Sequence, residues 1–538
     1  MGVALAALML APGAASGLPE APPRDLAFLH VGSPSPATGI PRVVDSHGRT
    51  ILLKGVNVDG IVDYWDADQN HPPPPEKLRP PYPIAPRLYA DDACPPDNRR
   101  VEGVVTCEFD FEHQMRPLGY DVIRLNLSWS LLEPQPGRID RTYVNRVAQV
   151  VEWARRQGIY VVLDMHQDAW SKYVYTRGEP CLGEFKSIRG FDGAPLWASS
   201  YSTPACALHG VRELDSAVAE AFQKFWFNVA APDGKGLQDH YTNVLLALAR
   251  RFHGNPAVAG YELMNEPQPG FNAAPGESDA TELFPYWGRA VNAVVSRVKG
   301  FRQLFFVEPN VERNVSDARE VPPAPWSTYS SYPNVVYAPH IYTGVFTADQ
   351  TVASQRFQPM ASGYQATIDD AKALGLPLWI GEFGNNPSDD GTLLPQHYTL
   401  QDKYLLGGAL WLWKENANDT NPNFFWGVYG PPFGRGKPQP RRVLITSRAT
   451  PMATAGELQS VSYSPAGHSF EVRGQAKRVR CGDRKHATVL WLPPRVAIAA
   501  DGARVEVFAR RAGREVYAYP DGGRYRIFSG PGKTHPCP

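Results

Sequence analysis

The chain has 538 residues, with 54 Lys and Arg set against 54 Asp and Glu, 20% charged and 11% aromatic side chains, and six cysteines. The balanced charge offers no electrostatic footprint for nucleic acid, so no such partner is expected, and the apolar content excludes a disordered chain. The length exceeds that of most single domains and points to one large domain and one smaller one.

At the N-terminus, the apolar run Val3 to Leu10 precedes the small residues Ala14-Ala15-Ser16, so residues 1–17 read as a secretory signal, although the first basic residue is Arg24. No later stretch approaches the roughly 18 continuous apolar residues that span a bilayer, so a secreted protein is expected, possible association with the cell envelope included. In an exported chain Cys94 with Cys107 and Cys181 with Cys206 each close a loop, leaving Cys481 with Cys537, out of about 15 arrangements that six cysteines permit. No C-x-x-C pair occurs, which disfavours zinc.

"RTILLKGVNV" (Arg49 to Val58) reads as a strand, and from there strand and helix patterns alternate. "DVIRLNLSW" is followed by "YVNRVAQVVEWARRQG", whose Val144, Val147, Val151 and Ala154 share one helical face before Gly158. "IYVVLDMH", "VAGYELMNE", "QLFFVEP", "NVVYAPHIY", "PLWIGEFG" and "GALWLWKE" bring the candidate strands to eight, most of them separated by helical patterns. Eight alternating units imply a (β/α)8 TIM barrel over 18–437. An open doubly wound sheet is the alternative, but no glycine-rich phosphate loop follows any strand. From Pro438 onward, "RRVLITSRAT", "HSFEVRG", "HATVLWLP" and later short alternating runs separated by turns imply an antiparallel β-sandwich over 438–538, read mainly as a packing module.

Polar residues fall at or near the C-terminal strand ends: Arg124, His166, Glu266, Tyr342, Glu382 and Trp413. That end of a barrel carries the active site. Between His166 and Gly236 runs an insertion of roughly 70 residues, far beyond an ordinary βα loop. Its Trp170, Phe191 and Trp197, with Phe424 to Phe433 after the eighth strand, are candidate walls of an apolar groove, or else the core of the insertion itself.

Glycosidic hydrolysis needs one carboxyl to protonate the leaving oxygen and a second as nucleophile or base. Glu266 in "ELMNEP" and Glu382 in "WIGEFG" end the fourth and seventh strands and face each other across the barrel mouth. Glu308 in "FVEPN" also ends a strand, and reads as a pocket or structural residue. His166 and Asp168 with Asp164 fall short of a metal ligand set, so no metal and no cofactor is expected.

"RLNLSW", "DMHQ", "MNEP", "HIY", "IGEFG" and "LWLWK" resemble, in order, the strand-end motifs of glycoside hydrolase family 5, over most of Arg49 to Asn416. The resemblance implies a retaining β-glycosidase with Glu266 as acid/base and Glu382 as nucleophile, and site roles for Arg124, His166, Asn265, His340, Tyr342 and Trp413. Asn265 would then bond the sugar 2-hydroxyl, and Arg124 and Tyr342 would hold the Glu382 carboxylate. "DMHQDAWSKY", "LLKGVNVDG" and "LWLWKEN" are similar to endoglycoceramidases, which release intact glycans from glycosphingolipids. That similarity implies Lys54, His166 and Asp168 on the first sugar's hydroxyls, Trp413 beneath its ring, a glycosphingolipid or related glycolipid substrate, peripheral contact with a membrane or micelle, and a monomer. Two other readings remain open here: a β-glucosidase or endoglucanase acting on steryl glucosides or polysaccharide, and a glycolipid-binding barrel without catalysis.

Overall fold

The computed structural model describes residues 18–22, 24–62, 111–190, 192–274, 276–317, 324–345, 359–414, 426–429, 438–465, 467–494, 496–510, 513–530 and 535–538. The signal segment, Cys94, Cys107, Phe191 and most of Phe424 to Phe433 lie outside the described residues.

Eight parallel strands make one sheet: β1 (Lys54–Val58), β2 (Val122–Ser128), β3 (Tyr160–His166), β4 (Val258–Glu262), β5 (Leu304–Val307), β6 (Val335–Tyr337), β7 (Ile380–Phe383) and β8 (Gly408–Leu410). Their order is β6-β5-β4-β3-β2-β1-β8-β7, and parallel bridges Tyr337–Leu378 and Ile341–Phe383 join its two ends, closing the expected barrel. Around it stand α1 (Arg141–Arg156), α2 (Ser216–Trp226), α3 (Leu237–Phe252), α4 (Phe284–Arg297), α5 (Met360–Leu374) and α6 (Leu393–Tyr404). Asp140 caps α1 by accepting from the Thr142 and Tyr143 amides, and Val144, Val147, Val151 and Ala154 are its buried face.

The strand period of two separates the barrel's contents. Ile123, Leu125 and Leu127 of β2 point outward into the cluster that includes Val147, Val151 and Leu245 of the helices. Val122 points inward, to a second cluster with Tyr160, Val162, Leu304, Phe306, Trp379 and Ala409. Further along the same inward face stand Arg124, Asn126 and Ser128, all buried. The barrel interior is therefore apolar at the N-terminal strand ends and polar at the C-terminal ends.

The inner apolar cluster continues through Met452, Val489, Trp491 and Tyr517, so the C-terminal unit packs beneath the barrel, opposite the polar end. A buried Arg116–Glu515 ion pair of 2.6 Å crosses the same junction. That unit consists of β9 (Thr450–Ala453), β10 (Glu457–Ser464), β11 (Ser469–Ala476), β12 (Thr488–Leu492), β13 (Ala499–Asp501), β14 (Ala503–Arg510), β15 (Gly513–Pro520) and β16 (Gly523–Phe528). They form two four-stranded antiparallel sheets, β9-β12-β15-β14 and β10-β11-β16-β13, around Leu458, Val472, Leu490, Val516 and Ile527. "RRVLITSRAT" does not start a strand as expected: α7 (Pro440–Thr446) forms there, with Pro440 in its first turn and Arg442 buried against Asp390.

The long insertion folds on itself. Phe185–Ser187 pairs antiparallel with Cys206–Leu208, the expected Cys181–Cys206 disulfide pins this hairpin, and α2 follows it. Cys481–Cys537 is likewise bonded.

Candidate active site

Strand register assembles the centre of the site. β1 sets Asn57 beside Arg124, β2 sets Asn126 beside Asp164, and β3 sets Asp164 beside Glu262. Arg124 is fully buried and donates from Nε to Glu262 Oε2 (2.6 Å), from Nη1 to Glu382 Oε1 (2.7 Å) and Asn57 Oδ1 (3.0 Å), and from Nη2 to Asn265 Oδ1 (2.8 Å) and Glu262 Oε1 (3.1 Å). Burial alone would weaken this cation, but the charges of Asp164, Glu262 and Glu382 overcome that and hold its pKa well above the ordinary value.

Glu382, on β7, also accepts from the Tyr342 hydroxyl at 2.8 Å through Oε2. Burial pushes its carboxyl well up, Arg124 opposes this, and the Glu266 charge adds to the rise. Glu266 stands past the end of β4, its side chain 19% exposed, with Oε1 reached by His340 Nδ1 at 2.8 Å and by Asn314 Nδ2 at 3.0 Å. Burial raises its pKa too, with His166, Arg212 and Arg124 pulling the other way. Oxygen atoms of the two glutamates lie within 4.8 Å of one another, with His340 Nδ1 3.6 Å from Glu382 Oε2. Two such groups cannot both ionise freely, and the guanidinium contact favours the charge on Glu382 and the proton on Glu266.

Glu266 has a left-handed backbone, φ +40°, which costs a non-glycine residue about 1–3 kcal/mol. Gln167 holds that turn, donating from Nε2 to the carbonyls of Asn265 (2.7 Å) and Glu266 (2.9 Å). Asn265 Nδ2 in return donates to the Gln167 carbonyl at 2.9 Å.

His166, at the end of β3, bonds Asp164 Oδ2 through Nδ1 at 2.7 Å, and its Nε2 is buried without a hydrogen-bond partner, 3.8 Å from Asp168 Oδ2. Burial lowers its pKa to about 4, so the ring is neutral, and burial raises Asp164 to about 7 against the pull of Arg124. Arg212, from a turn of the insertion, reaches Asp168 Oδ1 at 3.1 Å. Trp411 closes this side, its ring stacked on His166 with centroids 5.5 Å apart.

Thus Arg124, His166, Asp168, Asn265, Glu266, His340, Tyr342 and Glu382 converge, whereas two expected site residues do not. Trp413 is 0% exposed and packs edge-on to Tyr120 and against Tyr429, because β8 ends at Leu410 and the strand's alternation no longer governs which tryptophan faces the mouth. Lys54 begins β1, at the opposite end of the barrel, where it pairs with Asp402 at 3.0 Å. The insertion's tryptophans also turn away from a groove: Trp170 is buried among Trp129, Phe222 and Phe225, and Trp197 packs on Trp129 and His240. Glu262, Gln167, Arg212, Asn314 and Trp411 escaped sequence reasoning. Trp411, in the same "LWLW" run, Gln167, in "DMHQ", and Glu262, which opens "ELMNEP", lay in motifs already singled out; Arg212 and Asn314 did not.

Among the described residues three groupings have metal-ligand spacing, namely His166, Asp168 and Asp192; Glu262, Glu308 and His340; and Glu266, His340 and Glu382. The sequence offered only His166 and Asp168 with Asp164, a set that falls short of a metal site, and Asp192 was not among its candidates. In the other two the Arg124 guanidinium already supplies the positive charge to Glu262 and Glu382.

A parallel eight-stranded barrel with two opposed glutamates over a buried arginine defines a glycoside hydrolase. The chain belongs to glycosyl hydrolase family 5, whose cellulase family matches residues 103–417. It is 26% identical over 481 residues to endoglycoceramidase I of Rhodococcus hoagii (strain 103S), covering 86% of this chain and 82% of that protein. The crystal structure of an endogalactoceramidase superposes with a TM-score of 0.74 at 28% identity, covering 94% of this chain and 100% of the other. The lactosyl-enzyme intermediate of endo-glycoceramidase II from Rhodococcus sp. shares the fold at TM-score 0.64 and 22% identity, over 90% and 98% of the two chains.

Proposed function

We propose that the chain is a retaining endo-β-glycosidase that hydrolyses the bond between oligosaccharide and ceramide in glycosphingolipids. The observation that carries the reaction type is the approach of Glu266 and Glu382 oxygens to within 4.8 Å. Retaining enzymes hold their carboxyl groups about 5–5.5 Å apart, whereas inverting enzymes leave about 6.5–9.5 Å for a water. The similarity to endoglycoceramidase I and to endogalactoceramidase supports the substrate class.

Glu382, held ionised by Arg124 and Tyr342, attacks the anomeric carbon while Glu266 gives its proton to the departing ceramide oxygen. Glu266, now ionised, takes a proton from water, which attacks the glycosyl-enzyme and frees Glu382 and the glycan. Asn265 spends one Nδ2 hydrogen on Gln167 and keeps the other for the sugar 2-hydroxyl. His166 Nε2 and Asp168 take neighbouring hydroxyls, and Trp411, rather than Trp413, offers its face to the sugar ring.

The disulfides support an exported protein, and among the described residues no helix is long and apolar enough to cross a membrane. Contact with a membrane or micelle fits the pinned hairpin, where Leu182 is 75% exposed and Phe185 and Leu208 are exposed cross-strand neighbours. Incubation with a fluorescent glycosphingolipid and chromatography of both products tests the reading. Intact oligosaccharide with ceramide is expected; release of a monosaccharide, cleavage of glucan alone, or no product would overturn it.

A further inference from the structure

Gln167 follows β3 and takes no part in the proposed proton and bond transfers, yet it is 4% exposed and every polar atom of its carboxamide is engaged. Nε2 donates to the Asn265 carbonyl at 2.7 Å and to the Glu266 carbonyl at 2.9 Å, and Oε1 accepts from the Trp170 amide at 2.6 Å. Carbonyl oxygens only accept and a backbone amide only donates, so the carboxamide is held in this one orientation. Its partners lie in two turns, each with left-handed backbone. After β4, Glu266 has φ +40°; after β3, Ala169 and Trp170 have φ +52° and +71°, immediately behind Asp168. Residues other than glycine keep such a conformation only where their surroundings impose it. Gly193, at φ +105°, lets the insertion close over the junction, since a Cβ there would come within 2.4 Å of the Trp170 carbonyl oxygen and 2.6 Å of Gln167 Cβ.

We infer that Gln167 is a positioning residue that locks these two turns together, so that the Glu266 acid and the sugar-binding Asp168 meet the substrate at a fixed separation. The loops after β3 and β4 are also joined by Asn265, whose amide donates to the Met165 carbonyl at 3.0 Å and whose Nδ2 donates to the Gln167 carbonyl at 2.9 Å. Neither bond reaches the Glu266 peptide or the turn at Ala169 and Trp170. The Gln167 side chain reaches both. Arg212 holds Asp168 from its other side, through the carboxylate rather than the backbone. Transfer of the Glu266 proton depends on where its carboxyl stands relative to the leaving oxygen, and a misplacement of about 1 Å costs on the order of a hundredfold in rate. The inference rests on the acid/base role proposed for Glu266 and the sugar contact proposed for Asp168, while Gln167 itself touches no reacting atom.

Gln167→Met keeps the length of the side chain and removes every hydrogen bond it makes. It is expected to lower kcat on glycosphingolipid about ten- to hundredfold, with a much smaller loss on an activated aryl glycoside, whose departure hardly needs the acid. KM should rise on both substrates, because the Asp168 turn is released as well. In Gln167→Glu at acidic pH, the acid O–H serves one of the two carbonyls and the other oxygen still accepts from Trp170, so kcat should be partly restored and KM should stay near native. A crystal structure of Gln167→Met should show Glu266 out of the left-handed region. Equal losses on the two substrates, or a Glu266 turn unchanged in that crystal structure, overturns the inference. Should Gln167→Met fail to fold, both readouts pass to Gln167→Glu, whose remaining loss must show the same dependence on the leaving group. Because the crystallographic readout involves no glycolipid, a wrong substrate assignment leaves it intact.

Discussion

Trp411 lies parallel to His166, the ring centroids 5.5 Å apart and the planes 9° from coplanar. This places an indole beside His166 at the C-terminal strand ends, whereas Trp413 is sealed beneath Tyr429. Trp411→Ala should therefore cost about 1.5–3 kcal/mol of transition-state binding, read as a ten- to hundredfold fall in kcat/KM, with little change in Tm. Trp413→Ala should do the reverse, lowering stability by about 3–5 kcal/mol in denaturant titration. Equal loss of activity at unchanged stability in both variants would return the sugar platform to Trp413.

Glu382 accepts from Arg124 and Tyr342 and has no route to act as a proton donor while so held. Glu382→Gly should lower hydrolysis by more than about a thousandfold and still transfer an α-glycosyl fluoride to an acceptor, because that donor mimics the missing covalent intermediate. Hydrolysis near the native rate removes Glu382 from the nucleophile's place.

For Glu266, the leaving group is the probe. Glu266→Ala should slow cleavage of glycosphingolipid far more than departure of an activated phenol, and azide should restore turnover by replacing the base-activated water. Similar losses on both substrates without rescue would contradict the acid/base role.

The pH dependence tests Arg212. Catalysis needs Glu266 protonated, so the alkaline limb of kcat/KM follows its deprotonation. Burial raises that pKa, and the Arg212 cation is among the charges that lower it. Removing the cation in Arg212→Gln leaves burial less opposed, the acid form persists to higher pH, and the alkaline limb moves up. KM should rise as well, since Asp168 loses its 3.1 Å partner. An alkaline limb that moves down or stays in place contradicts this electrostatic coupling.

Trp170 packs among Trp129, Phe222 and Phe225 inside the insertion. Trp170→Ala should destabilise the chain by about 3–5 kcal/mol, measured by denaturant unfolding, and should lower activity on glycosphingolipid and soluble aryl glycoside together. Selective loss on the lipid substrate at unchanged stability would instead place Trp170 in an aglycone groove.

What the sequence determined by itself was whatever repeats with a local period. Alternating strand and helix patterns specify the barrel, and strand-end motifs bring Arg124, Glu266, His340, Tyr342 and Glu382 to one mouth, because the closed parallel sheet places every C-terminal strand end on one face. Local period fails once the chain leaves the strand, and there only tertiary packing decided. Trp411 and Trp413 lie two residues apart, but one faces His166 and the other Tyr429, according to the neighbours that close around each. Lys54 sits in a motif like those of sugar-binding residues, yet its place at the start of β1 commits it to Asp402 under the barrel. Asn314 and Arg212 lie in no motif, and Glu262, although it opens "ELMNEP", shows nothing there of its role, since these roles come from which distant groups Glu266, Asp168 and Arg124 meet after closure. The aromatic insertion shows the same limit, because composition specifies a wall of indoles but not whether its own core or the mouth of the barrel buries them.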